Sequence, residues 1–110
     1  MELNKNSILI KEKKRLMLKL SGEILGGSQS YGLDPDKLIS IAEDICNVYE
    51  NGKQVCIVVG GGNIFRGISG ASQGIDRVTA DGMGMLATVI NALALQNAIE
   101  KNNVPTRVLS

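Results

Sequence analysis

The chain has 110 residues, of which 44% are hydrophobic, which suits one small domain around a single core and argues against disorder. Its 12 basic and 11 acidic residues leave a net charge of +1, so no electrostatic footprint for nucleic acid is present, although Lys5, Lys11, Lys13, Lys14 and Arg15 make the N-terminus locally basic. Histidine is absent, which removes a Ser-His-Asp triad, a His-ligated zinc site and an imidazole base from consideration.

Residues 1–13 mix Asn, Lys and Glu without a sustained period and are expected to form a flexible arm. Ile8 to Ile10 is too short for a signal-peptide core, and no apolar run of about 18 residues is read along the chain. A soluble, cytoplasmic protein without membrane contact is therefore expected. Arg15 to Leu20 (RLMLKL) is a short apolar run that suits a first strand buried on both faces.

From Asp34 the pattern changes. Leu38, Ile41, Ala42, Ile45, Val48 and Tyr49 fall at helical spacing on one face. Asp34 is placed to cap the helix, Pro35 suits its first turn, and Gly52 can supply the left-handed residue that follows its end. Val55 to Val59 (VCIVV) reads as a central parallel strand running into Gly60, Gly61 and Gly62. An irregular stretch is expected to about Gly74. Met83 to Glu100 is then expected to be a largely buried helix, ended by Asn102 and Asn103, with Asp81 ahead of it as a possible cap. Val104 to Leu109 reads as a third strand with Pro105 near its start. Cys46 and Cys56 lack C-x-x-C spacing and lie in apolar surroundings, so buried, reduced thiols are expected.

The order βαβαβ implies an α/β fold with a parallel sheet, right-handed crossovers and helices on both faces, and ligands gather at the carboxyl ends of such strands. Lys19 and the glycine run both fall at that edge. Three glycines let a backbone approach a ligand closely, and successive N–H groups near a helix start favour an anion, with phosphate the natural guest. The competing reading is a tight strand-to-helix turn. Lys19 could lean on nucleotide phosphates or simply snorkel at a strand end, and Ser21 and Gly22 beside it, with Gly26 and Gly27, favour the former. Arg66 could fork onto phosphate oxygens or be a surface cation. Asp81 could cap a helix or accept from sugar hydroxyls. Asp76 and Arg77 read as a solvated pair, and Met83 and Met85 as core filler. No G-x-x-x-x-G-K-[ST] occurs, and Phe65 stands where the dinucleotide fingerprint has its third glycine.

Three segments carry a resemblance: KLSGE at Lys19 to Glu23, GGGNIFRG at Gly60 to Gly67, and MGMLATVINALAL at Met83 to Leu95. Together they resemble the bacterial uridylate kinases of the amino acid kinase family, over roughly residues 14 to 110. The resemblance implies a three-layer α/β/α sandwich with a mostly parallel sheet, of which this βαβαβ segment is the N-terminal portion. It also implies transfer of a phosphoryl group from Mg2+-bound ATP to UMP, a hexameric homo-oligomer, and regulation by GTP and UTP in many members. Carried over by motif, Lys19, Leu20, Ser21, Gly22, Gly62 and Arg66 contact ATP, with Lys19 and Arg66 catalytic, while Gly61 and Asp81 contact UMP. No protein metal ligand is implied. Gly82 departs from the family pattern, where a larger side chain is usual, and the chain is less than half the usual length. Another amino acid kinase, a non-catalytic nucleotide-binding or assembly module, and a redox dinucleotide-binding domain are the competing readings.

Overall fold

The computed structural model describes residues 14–68 and 73–109. Strand β1 spans Arg15–Leu20 and β2 spans Gln54–Val59, paired in parallel from Arg15 against Gln54 to Leu20 against Val59. A 3-10 segment, Gly22–Gln29, follows β1, and helix α1 (Pro35–Glu50) makes the crossover. Helix α2 (Gly62–Gly67) and the long α3 (Arg77–Glu100) follow β2. The expected arm, residues 1–13, and part of the expected irregular stretch lie outside the described residues.

Helix α1 begins and ends where local chemistry demands. The Asp34 carboxylate accepts from the Lys37 amide at 3.1 Å, and Pro35 occupies the first turn, where its missing N–H has no partner to lose. Gly52, at φ +90°, turns the chain away in a conformation that side chains resist.

The sheet is half-buried, contrary to the expectation of strands buried on both faces. Burial alternates along both strands: Leu18, Leu20, Val55, Ile57 and Val59 pack on the core, whereas Met17, Lys19, Cys56 and Val58 point outward and are exposed. Ile41, Ala42, Ile45 and Cys46 of α1 and Leu95 and Ile99 of α3 join Leu25 and Val104 in one core. Both helices therefore cover the same sheet face among the described residues, rather than one on each side. Cys46 is buried as expected, and its thiol is pushed up by burial, then by Glu50 and Glu43. Cys56 is exposed, because it falls on the outward phase of β2.

Two further expectations change. Helix α3 starts at Arg77, not Met83: Asp76 caps it by accepting from the Thr79 amide at 3.0 Å. Asp76 is thus a cap rather than half of a solvated pair, and Asp81 lies inside the helix. Nor is α3 largely buried, since only Ala87, Asn91, Leu95 and Ile99 are, one stripe at four-residue spacing. By length and composition α3 could cross a membrane, a feature overlooked because Thr88, Asn91, Gln96 and Asn97 interrupt its apolar run.

Residues 104–109, expected as a third strand, carry no strand and do not pair with β2. One of them is tied to α3: the Thr106 carbonyl accepts from Gln96 Nε2 at 3.0 Å, and the Thr106 amide donates to Glu100 Oε2 at 3.3 Å. A cleft of about 890 Å3 remains between this segment, α3 and the edge of β2.

Candidate functional site

The carboxyl ends of two parallel strands lie side by side, so whatever follows each strand meets the other. The ladder continues one step past β2, with the Gly60 amide donating to the Leu20 carbonyl at 3.1 Å. Leu20 and Gly22 are thereby brought against Gly60 and Gly62, while Lys19 pairs one step earlier, with Val58.

The glycines are needed first by the protein's own contacts. A methyl group at Gly22 would lie 2.7 Å from the Gly60 carbonyl oxygen and 2.8 Å from the Gly62 nitrogen. One at Gly61 would lie 2.7 Å from Ala87 Cβ on α3, and one at Gly62 2.8 Å from the Glu23 carboxyl. At Gly22 the obstacle is backbone and at Gly61 it is Ala87 and the α3 backbone, so no side chain fits there, whereas at Gly62 it is the movable end of Glu23. The tight-turn reading of this run thus has direct contacts behind it at Gly22 and Gly61.

Ser21 caps the 3-10 segment. Its oxygen accepts from the Glu23 amide at 3.3 Å, and its hydroxyl donates to Glu23 Oε1 at 2.6 Å. Lys19 is exposed on the open sheet face, directly across from Val58. Asp81 is exposed on α3, six residues before the Ala87 that touches Gly61, or about 9 Å along the helix axis. Arg66 belongs to α2, and the expectation for its guanidinium lies outside the described residues.

Reading the sequence missed two residues at the centre of this junction. Asn63 and Asn91 are both fully buried. Asn63 Nδ2 donates to Asn91 Oδ1 at 3.0 Å and to the Gly32 carbonyl at 2.7 Å. Asn91 Nδ2 donates to Asn63 Oδ1 at 2.7 Å and to the Gly60 carbonyl at 2.6 Å. All four amide hydrogens are used, and no buried side-chain polar atom among the described residues lacks a partner. The signal was legible in part, since Asn91 is an amide on the same i, i+4 stripe as Ala87 and Leu95, and a buried amide requires a partner.

Two parallel strands joined by a helical crossover, with their end loops interlocked through glycines, define an α/β module. Residues 14–110 match the model of the amino acid kinase family, and the chain belongs to that family. The uridylate kinase of Paramagnetospirillum magneticum is 59% identical over 97 residues, covering 88% of this chain and 40% of that protein. That of Erythrobacter litoralis is 57% identical over 99 residues, covering 90% and 42%. The UMP kinase of Ureaplasma parvum superposes with a TM-score of 0.77 at 44% identity, over 89% of this chain and 43% of that one. The UMP kinase of Bacillus anthracis gives 0.70 at 42% identity, over 80% and 36%. The chain thus has the amino acid kinase fold and spans about two fifths of the length of these relatives.

Proposed function

We propose that the complete protein transfers the terminal phosphoryl group of ATP to UMP, giving UDP and ADP, in cytoplasmic pyrimidine nucleotide synthesis and as a homo-oligomer. The observation that carries this reading is the interlocked Lys19–Gly22 and Gly60–Gly62 junction, in a chain 59% and 57% identical to uridylate kinases.

The acceptor phosphate of UMP is already anionic at neutral pH, so no base is needed to activate it. One of its oxygens attacks the γ-phosphorus of ATP while the bond to the β,γ-bridging oxygen breaks and ADP departs. The protein's task is to hold two anions in line and stabilise the charge on the transferred group. In this reading the Lys19 ammonium, with Arg66, faces the transferred phosphoryl, and Leu20, Ser21, Gly22 and Gly62 receive ATP. Gly61 and Asp81 receive UMP, the carboxylate suiting sugar hydroxyls rather than phosphate. Among the described residues no three His, Cys, Asp or Glu side chains converge as a metal cage. In this reading Mg2+ would accompany ATP and neutralise charge on its phosphates.

UDP formation from UMP and Mg-ATP by the complete protein, followed chromatographically with CMP and acetylglutamate as competing acceptors, tests this. Selective UMP turnover that collapses in Lys19→Ala and weakens for UMP in Asp81→Asn is the expected result. Binding of UMP without UDP formation would leave a binding module, and preference for acetylglutamate would point to another amino acid kinase.

A further inference from the structure

The Asn63–Asn91 pair lies under the glycine run and takes part in none of the chemistry just described. What it does can be read from where its hydrogens go. Asn91 Nδ2 holds the Gly60 carbonyl at 2.6 Å, which points that oxygen inward to α3. The chain has no cis peptide among the described residues, and in a planar trans peptide the N–H points opposite to the C=O. The Gly61 N–H is therefore aimed away from the buried pair. Asn63 fixes the other side: its side chain donates to the Gly32 carbonyl at 2.7 Å, and its own carbonyl accepts from the Gly32 amide at 3.1 Å. A methyl at Gly22 would also lie 2.7 Å from Asn63 Oδ1, so the loop after β1 rests on the same amide. Three loops and one helix are registered by two side chains. Apolar residues of similar size would fill this space without the desolvation of two amides, but they could not choose the direction of a peptide.

We propose that Asn63 and Asn91 are positioning residues of the nucleotide site: their amide pair sets the Gly60–Gly61 peptide so that the Gly61 N–H is presented to the acceptor phosphate. The proposal rests on the UMP-phosphorylating reading, and its test separates the two.

In the complete protein, Asn91→Ser withdraws the donor that holds the Gly60 carbonyl, and Asn91→Asp sets a carboxylate oxygen against that carbonyl and turns the peptide by repulsion. The KM for UMP rises about tenfold or more, further in Asn91→Asp than in Asn91→Ser, as expected when one hydrogen bond to a charged phosphate is lost. The KM for ATP rises less, because Asn91 holds the Gly60 carbonyl directly and reaches the Gly22 loop only through Asn63. A purely structural role would lower the melting temperature and leave the folded fraction's UMP-to-ATP ratio unchanged, which overturns the proposal, as do equal rises for both substrates.

Titration of the unmodified protein with UMP, followed by amide NMR, needs no variant to fold. A Gly61 amide shift larger than that of Gly60 supports the proposal, and a Gly61 resonance that does not move overturns it. Wild-type protein that binds UMP with this Gly61 signature but makes no UDP sinks the kinase reading and keeps the positioning role. Wild-type protein that does not bind UMP sinks both.

Discussion

Gly61→Ala introduces a methyl 2.7 Å from Ala87 Cβ, 3.2 Å from the Thr88 nitrogen and 3.3 Å from the Ala87 carbonyl carbon. Ordinary carbon–carbon contact is about 3.5–4.0 Å, so α3 and the loop must separate by about 1 Å or the new methyl must be tolerated as strain. Overpacking of this kind costs about 1–3 kcal/mol. The methyl it strikes is a single one, which allows a complementary change. Ala87→Gly removes it, at about 1 kcal/mol for helix propensity and about 1 kcal/mol for the lost burial of one methyl. Together the changes restore room at the closest contact. The double variant should therefore be about 1–2 kcal/mol more stable than the sum of the singles predicts, less than full relief because the Ala87 and Thr88 backbone atoms stay close. Urea denaturation of the four chains at equilibrium measures this coupling. Additivity to within about 0.5 kcal/mol would refute the claim that Gly61 is glycine because it packs against α3.

Gly82 offers the opposite case: nothing stands within 4 Å of a methyl there, and the residue lies inside α3, so Gly82→Ala should stabilise by about 1 kcal/mol in the same denaturation assay. The Asp76 carboxylate is held below its usual pKa range, by the Thr79 side chain first and the Thr79 amide second. A lowered folded pKa means that this contribution is present above the unfolded value and is lost as pH falls through the acid range. Asp76→Asn keeps a capping oxygen that cannot titrate, so its melting temperature should fall less than wild type between about pH 5 and pH 2; parallel curves would reject the cap's role. With maleimide near neutral pH, Cys56 should label quickly and Cys46 only on unfolding, because Cys46 is buried and its thiol pKa is raised. Equal labelling rates, read by mass spectrometry of the peptides, would contradict the burial pattern.

Local chemistry along the chain determined the elements whose causes lie within a few residues. The Asp34 cap, Pro35 and Gly52 bounded α1, and the apolar runs at Arg15–Leu20 and Val55–Val59 located both strands. The glycine run and Lys19 were legible as a strand-end cluster because parallel strands bring their carboxyl ends together in any such sheet. Tertiary structure decided what depends on partners distant in sequence. The outward phase of β1 was legible from Arg15 and Lys19, but Val55–Val59 is apolar throughout, so the exposure of Cys56 and Val58 appeared only once the parallel register and both helices on one side were found. Residues 104–109 form no ladder with β2; the Thr106 carbonyl and amide bond the Gln96 and Glu100 side chains, contacts that periodicity does not register. The Asn63–Asn91 pair spans 28 residues, and each amide alone resembles any polar residue in a helix or turn. Only folding, which removes both from water and obliges each to satisfy the other, turns them into a buried link between α2 and α3.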